Sequence, residues 1–211
     1  MTLNASHELE KTRRAVLAAG SVRSVTASRS VDAGPEAVWA ALTDPQALPA
    51  WFGEVEAPDG SLQEGQSYRV PSNGADGEIT RCTRPDNFAL TWNDGAGSST
   101  LTVALAPLDE VHTAVTITQV LQDSEQWERF GPGAVGVAWE GALYALSLFL
   151  SGDREGARPE RMAQLGQSEQ GRAFITRSAE AWGHADANAG TDEQTARERA
   201  EQTERFYLGE G

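Results

Sequence analysis

Hydrophobic and polar residues alternate through the middle of the chain, between residues 54 and 121, and this pattern predicts a series of short β-strands. The segments are separated by turn-forming clusters such as those at residues 72–74 and 93–95. Before them, small and β-branched residues over Ser21–Asp32 predict one further strand. Because consecutive strands are joined by short turns, the pattern favours an antiparallel meander.

Helical periodicity predicts three further elements. A short helix begins at Pro35, where the missing N–H of proline costs nothing, and a second follows Asp44 and ends at Gly53. A long helix is predicted from Gly133 to about Leu150, directly after a segment rich in glycine. Its apolar residues recur at steps of three and four and form one stripe, which consists of Val135, Trp139, Leu143, Leu146 and Leu150.

The order of these elements predicts an α+β fold. A twisted antiparallel sheet has one face to bury, and the long helix has one apolar stripe to bury. The simplest arrangement lays the helix across the concave face of a curved sheet of six to seven strands, with the two short helices at one end of an apolar cavity. This arrangement is a helix-grip fold.

The two ends of the chain differ from this middle part. We predict an N-terminal arm over residues 1–20, helical through Ser6–Ala19, a helix-grip domain over residues 21–152, and a C-terminal helical extension over residues 153–211. Thr191 and Gln194 match a capping box at the start of a terminal helix. We expect the bulky apolar residues of the extension to dock on the main domain or on a second subunit: Phe174, Ile175, Trp182 and Phe206.

The formal net charge of −14 argues against two classes of partner, nucleic acids and anionic membranes, because both are bound through Lys and Arg. No apolar run approaches the roughly 20 residues of a membrane span. The apolar stretch after Lys11 is too short for the hydrophobic region of a secretory signal, so we expect a cytoplasmic protein. Cys82 is the one cysteine and cannot form an internal disulfide, although a nucleophilic role stays open.

Four segments in the same order resemble the START/SRPBCC superfamily, and within it the Aha-type heat-shock ATPase-activator homologue family. They read SRSVDAGPEAVWAALTDPQALPAWF, EGQSYRV, RPDNFALTW and FGPGAVGVAWEGALYALSLFL, and the resemblance covers about Arg23–Leu150. The resemblance implies the same helix-grip fold around an apolar ligand pocket. Gln119 stands where members often carry a histidine, and the extension resembles those of some bacterial members.

Aromatic residues are the first candidates for ligand contacts, because Trp and Tyr combine a large apolar body with one hydrogen-bonding end. The alternative is that they only fill the core, which we favour for Trp39 and Trp92. Gln119 and Arg81 share faces with apolar strand residues and are predicted to point inward. The predicted ligand-binding residues are Trp51, Phe52, Tyr68, Arg81, Trp92, Gln119, Trp127, Trp139 and Leu143.

Other chemistry has weaker support in the sequence. The three histidines lack metal-ligand spacing, and neither a Gly-x-Ser-x-Gly elbow nor a dinucleotide fingerprint occurs, so we predict no metal and no cofactor. Glu140 and Glu128 could act as acid or base if an apolar cavity raised their pKa values, or could be surface charges. The glycines at residues 131–136 could bind an anion, or could let the long helix cross the sheet closely.

The leading hypothesis is the binding of a small, largely apolar molecule, such as a lipid, polyketide or aromatic metabolite. An enzyme resembling polyketide cyclases or aromatases is the first alternative, and a co-chaperone or protein-interaction module is the second. A binder needs a continuous cavity of roughly 300 Å³ or more, an enzyme needs inward acids or bases, and an interaction module needs an exposed apolar patch. A homodimer through the extension is a further expectation.

Overall fold

A computed structural model describes residues 5–57 and 62–210. Within them, seven strands form one antiparallel sheet in the order β1-β2-β7-β6-β5-β4-β3. The strands are β1 Thr12–Ala19, β2 Val22–Val31, β3 Ser67–Val70, β4 Ala75–Thr83, β5 Asn87–Asp94, β6 Gly97–Pro107 and β7 Thr113–Gln122. Sequential neighbours pair through hairpins, except that β2 pairs with β7, which brings the two halves of the sheet together.

Eight α-helices lie outside the sheet in the described part of the chain. They are α1 Ala5–Glu10, α2 Pro35–Thr43, α3 Glu125–Phe130, α4 Gly133–Leu150, α5 Arg154–Ala157, α6 Pro159–Ala163, α7 Glu169–Asn188 and α8 Glu193–Tyr207. The long helix α4 packs against the sheet, and its buried residues belong to the same apolar core as those of the strands. The predicted α+β helix-grip fold is confirmed.

The predicted helix over Ser6–Ala19 is wrong beyond Glu10, because residues from Thr12 form strand β1. All eight residues of β1 pair with β2, through a tight turn at Gly20, whose φ of 61° favours glycine. The apolar stripe of this segment is too sparse to favour a helix. Pairing with β2 satisfies its backbone hydrogen-bonding groups, so tertiary structure decides its conformation.

The second predicted short helix is only a 3-10 turn over Leu48–Ala50. The Asp44 side chain accepts a hydrogen bond from the backbone N–H of Gln46, at 2.8 Å, which starts a turn instead of a longer helix. The turn still buries Leu48 and places Trp51 and Phe52 at the end of the core.

Helix α4 is long and apolar enough to cross a membrane by length and composition, but more than half of it is buried inside the fold. Its apolar character follows from its position, since the sheet covers one side and helices of the extension cover another. Among its buried residues is Glu140, a charged side chain near its middle.

The extension docks on α4, as predicted. Trp182 of α7 is fully buried in the main core, and Phe174 packs with Leu9 of α1 in a second apolar cluster. Phe206 differs, because its side chain is 58% exposed and contacts the Phe130 ring at a centroid distance of 5.3 Å. The docking of Trp182 and Phe174 joins both ends of the chain to the helix-grip domain.

The predicted capping box at Thr191 is wrong by one residue. The Asp192 side chain caps α8 by accepting a hydrogen bond from the Thr195 backbone N–H at 3.0 Å. This bond and the Thr195 hydroxyl lower the pKa of Asp192. The Thr191 hydroxyl donates instead to Asp186 at 2.7 Å, which closes the turn between α7 and α8.

Candidate functional site

Two adjoining spaces lie between the sheet and α4. The first, the interior pocket, measures about 80 Å³ and has an apolar wall that includes Tyr68, Ile79 and Leu90. The second, the cleft, measures about 490 Å³ and opens to solvent between the β5–β6 hairpin, the end of β7 and the first half of α4. Phe52 lines both spaces, so the interior pocket adjoins the floor of the cleft.

Trp92 of β5 and Trp139 of α4 line both spaces and stand between them. Their rings meet edge to face, with centroids 5.5 Å apart and an interplanar angle of 73°. This geometry is favourable for aromatic pairs. The two rings therefore form a wall with one side in the interior pocket and the other in the cleft.

A chain of hydrogen bonds fixes this wall. The Trp139 indole N–H donates to Gln119 Oε1 at 2.6 Å, and Gln119 Nε2 donates to Ser99 Oγ at 2.8 Å. The Ser99 hydroxyl then donates to the Trp92 carbonyl at 3.2 Å. Gln119 is buried and lines the cleft, as its register with Val115 and Ile117 predicts. Its amide orients the tryptophan that faces the cleft.

Three more predicted residues lie at the interior pocket. The Trp51 indole N–H donates to the Ala41 carbonyl at 3.0 Å, and the ring lines the pocket beside Phe52. The Tyr68 hydroxyl donates to the Thr91 carbonyl at 2.7 Å, and burial raises its pKa. Tyr68 is therefore a neutral pocket residue whose hydroxyl proton is already engaged.

Arg81 does not point inward, contrary to the prediction. A β-bulge in β4 shifts the register between Ile79 and Arg81, so the alternation of inward and outward residues changes there. Arg81 is exposed, and Cys82 lines the interior pocket instead. Burial, with the nearby charge of Glu64, raises the pKa of the Cys82 thiol, which argues against a nucleophilic thiolate.

Trp127 and Leu143 lie outside both spaces. Trp127 is buried on α3, where the Arg23 guanidinium lies 5.8 Å from the ring centroid. Leu143 is wholly buried in the core side of α4. The structure thus brings together Trp51, Phe52, Tyr68, Trp92, Gln119 and Trp139, and leaves Arg81, Trp127 and Leu143 elsewhere.

Glu140 faces away from the ligand spaces. It is fully buried and ion-paired with Arg14 of β1, whose Nε lies 3.2 Å from Oε2. The Ser178 hydroxyl of α7 donates to the same carboxylate at 2.6 Å. Glu140 therefore joins β1, α4 and α7, while Glu128 is an exposed residue of α3.

The glycines at the start of α4 are packing positions. A Cβ atom added to Gly133 would lie 2.7 Å from Thr203 Oγ1 of α8, and one on Gly136 would lie 2.3 Å from the Trp182 ring. The expected close approach is present, but its partner is the extension instead of the sheet. Among residues 5–57 and 62–210, no three His, Cys, Asp or Glu side chains form a group that could hold a metal ion.

Sequence reasoning missed several residues that line the cleft, including Asp94, Ser98 and Ser99 of the β5–β6 hairpin and Ala134 and Ala138 of α4. The Asn93-Asp94-Gly95 motif indicated the hairpin correctly but not its place beside α4. Small and polar residues are common at surfaces, so no pattern in the sequence marked them as a site.

Residues 32–150 match the family model described as Activator of Hsp90 ATPase homolog 1-like protein. The chain belongs to this family. Comparison with curated proteins found no match. Among solved structures, the crystal structure of CalU16 from Micromonospora echinospora is 31% identical, with 79% of this chain and 98% of that chain covered and a TM-score of 0.59.

The solution structure of CalU16 is 28% identical, covers 85% of this chain and 97% of that chain, and has a TM-score of 0.69. Protein MLL2253 from Mesorhizobium loti shares the fold at 22% identity, with 61% of this chain and 97% of that chain covered and a TM-score of 0.53. The family model ends at Leu150, whereas the CalU16 match covers more of the chain than residues 32–150 comprise. CalU16 therefore shares structure with this chain beyond the residues that the family model matches.

Proposed function

We propose that the protein binds a small, largely apolar molecule in the cleft, with one end of the ligand against the interior pocket. The observation that carries the proposal is the wall formed by Trp92 and Trp139, which has one side in each space. Aromatic walls with a few fixed polar groups are typical of small-molecule sites.

The two volumes support placing the body of the ligand in the cleft. The interior pocket, at about 80 Å³, is well below the roughly 300 Å³ that a small-molecule site needs, because aromatic side chains fill most of the space under α4. The predicted single internal cavity is therefore replaced by a smaller pocket and an outer cleft. The cleft, at about 490 Å³, falls within the range of ligand sites, so the body of the ligand belongs there.

The titratable groups of the interior pocket support binding more than acid–base catalysis. In the interior pocket these groups are Tyr68 and Cys82 among the described residues, and the pKa of each is raised. Both are therefore protonated at neutral pH, and neither is poised to accept a proton from a substrate. A cyclase-like reaction therefore has no base among the described residues of the interior pocket, and the carboxylates of the cleft, Asp94 and Asp123, would have to serve.

The interaction-module alternative has less support. The large apolar residues that are most exposed lie on separate elements: Leu17 on β1, Leu108 and Val111 in the turn before β7, and Phe206 on α8. Only the less exposed Val22 and Val120 share a sheet face with one of them, Leu17. Scattered exposed apolar residues are common on monomeric proteins and need no partner. A docking surface for a chaperone would need a contiguous apolar patch.

Binding can be tested with the neutral fluorescent probe N-phenyl-1-naphthylamine. We expect the probe to bind with enhanced fluorescence, and Ala142→Phe to weaken that binding about tenfold or more, because Ala142 lines both spaces. Ala40→Phe, at an exposed position of α2, is the matched control and should bind like the wild type. If the probe does not bind, or if Ala142→Phe binds it as well as the control does, the proposed site is wrong.

Native mass spectrometry of protein purified from its own host gives the second test. We expect a co-purified small molecule with the wild type and with Ala40→Phe, and a lower occupancy with Ala142→Phe. A molecule retained equally by all three proteins would place the binding site elsewhere.

A further inference from the structure

We infer that the ligand carries a positive charge beside its apolar body, and that the cleft discriminates against carboxylates. The inference rests on the proposed function and names the chemical class of its ligand, an aromatic or alicyclic amine that is protonated at neutral pH. Three features of the cleft support it: the sign of its charges, its aromatic rings, and the engagement of the hydrogen-bond donors in its aromatic wall.

The charges at the cleft are of one sign. Among the described residues that line it, the charged ones are Asp94 of the β5–β6 hairpin and Asp123 after β7. Asp123 is ion-paired with Arg23, whose Nη2 lies 2.8 Å from its carboxylate. Asp94 instead accepts neutral hydrogen bonds, from the Trp92 indole at 3.1 Å and from the Ala96 backbone N–H at 2.8 Å. Within the described residues, Asp94 therefore contributes an uncompensated negative charge beside the Trp92 ring.

The aromatic wall also favours a positive charge on the ligand. The faces of indole rings attract cations, and the attraction is strongest where water is partly excluded. The Trp92 N–H donates to the Asp94 carboxylate, which makes the ring more electron-rich because hydrogen bonds to an anion polarise the donor. An ammonium group beside Asp94 would also lie near the Trp92 ring, so two favourable partners would attract it.

The hydrogen-bond donors of the wall are engaged inside the protein. The Trp139 N–H donates to Gln119, the Gln119 amide donates to Ser99, and the Trp92 N–H donates to Asp94. A carboxylate ligand would find these three donors already engaged and would also meet the Asp94 charge. The net charge of −14 adds a long-range negative potential, which a low-dielectric cleft concentrates.

The experiment uses three compounds with one naphthalene body: 2-(1-naphthyl)ethylamine, 2-(1-naphthyl)ethanol and 1-naphthaleneacetate. Each competes with N-phenyl-1-naphthylamine for the full-length protein at pH 7 and low salt. We expect the amine to bind about tenfold tighter than the alcohol, and the carboxylate to bind more weakly than the alcohol. Raising the salt concentration to about 0.5 M should reduce the difference between amine and alcohol, because it screens the exposed Asp94 charge.

Two variants assign the preference to Asp94. Asp94→Asn should bring amine and alcohol to within about twofold of each other, while Asp94→Glu should keep the preference for the amine. Glu180→Gln removes one negative charge from an exposed position of α7 and is the matched control, which should behave like the wild type. If Asp94→Asn fails to fold, the Asp94→Glu variant and the salt series still test the inference.

The outcomes separate the two proposals. If none of the probes binds, the proposed function fails and the inference with it. If the alcohol or the carboxylate binds as tightly as the amine, the cleft is a binding site without charge selection, and only the inference is overturned. The inference is also overturned if the preference for the amine persists in Asp94→Asn and at high salt.

Discussion

Trp182 of α7 lies directly against Gly136 of α4, so closely that a Cβ atom on Gly136 would be 2.3 Å from Cε2 of the indole ring. The Trp182 ring is fully buried, so the surrounding core limits any shift of the ring. This contact joins the C-terminal extension to the helix-grip domain. It also explains why a residue with low helix propensity occurs inside the central helix.

We therefore expect Gly136→Ala to destabilise the protein by roughly 2–3 kcal/mol, the cost of overpacking a closed core. Gly141→Ala is the matched control in the same helix, because its Cβ atom would have no neighbour within 4 Å. The control should stabilise the protein by about 0.5–1 kcal/mol through helix propensity. Urea unfolding followed by circular dichroism measures both free energies, and similar values for the two variants would contradict the packing argument.

Glu140, the one charged residue of α4, is expected to be sensitive to substitution. Glu140→Gln leaves the Arg14 guanidinium partly buried without a counter-charge, which should cost about 3 kcal/mol of the free energy of unfolding. Glu36→Gln removes the partner of Arg84 in a pair where both side chains are more than half exposed, and it should cost less than about 1 kcal/mol. Equal losses in the two variants would show that burial does not govern these ion pairs.

Gln119 should affect both stability and ligand binding. Gln119→Leu removes the acceptor of the Trp139 N–H, so we expect a loss of about 1–3 kcal/mol and weaker binding of N-phenyl-1-naphthylamine. Gln119→Glu keeps an acceptor for Trp139 and should recover the binding that the leucine variant loses. Probe titration and urea unfolding of the three proteins make the comparison. If the leucine variant binds the probe like the wild type, the orientation of Trp139 is irrelevant to the site.

Stability should fall in acid partly through Glu8 of α1. Burial raises the pKa of Glu8, but hydrogen bonds and charges from Arg29 and Lys11 outweigh it, so the pKa lies below its ordinary value of 4.5. The ionised Glu8 side chain therefore stabilises the fold fully above pH 4.5, and this contribution is lost as the pH falls through the lower pKa of the folded state.

Glu8→Gln removes this titration. The difference in the free energy of unfolding between wild type and variant should be largest at pH 7 and should shrink below about pH 4. Urea unfolding at pH 7, 5 and 3 measures it, with Glu10→Gln, an exposed neighbour, as the control. A difference that does not change with pH would mean that Glu8 stabilises the fold by packing alone.

The sequence by itself determined the elements whose local pattern and tertiary environment agree. Alternation predicted the meander of strands, the stripe from Val135 to Leu150 predicted α4, and the register of Gln119 predicted its inward amide. The ordered motifs also indicated the family that residues 32–150 confirm. In each case the element has one apolar face, and that face can be buried in only one way, so the periodicity of the sequence is sufficient to predict it.

Only the tertiary structure decided the rest. Strand β1 forms because β2 offers it a partner, and the bulge between Ile79 and Arg81 exchanges the exposures of Arg81 and Cys82. The size of the cleft depends on how much space the aromatic rings leave under α4, and its charge depends on where the β5–β6 hairpin places Asp94. These properties depend on distances between elements that are remote in the chain, and no local pattern encodes such distances.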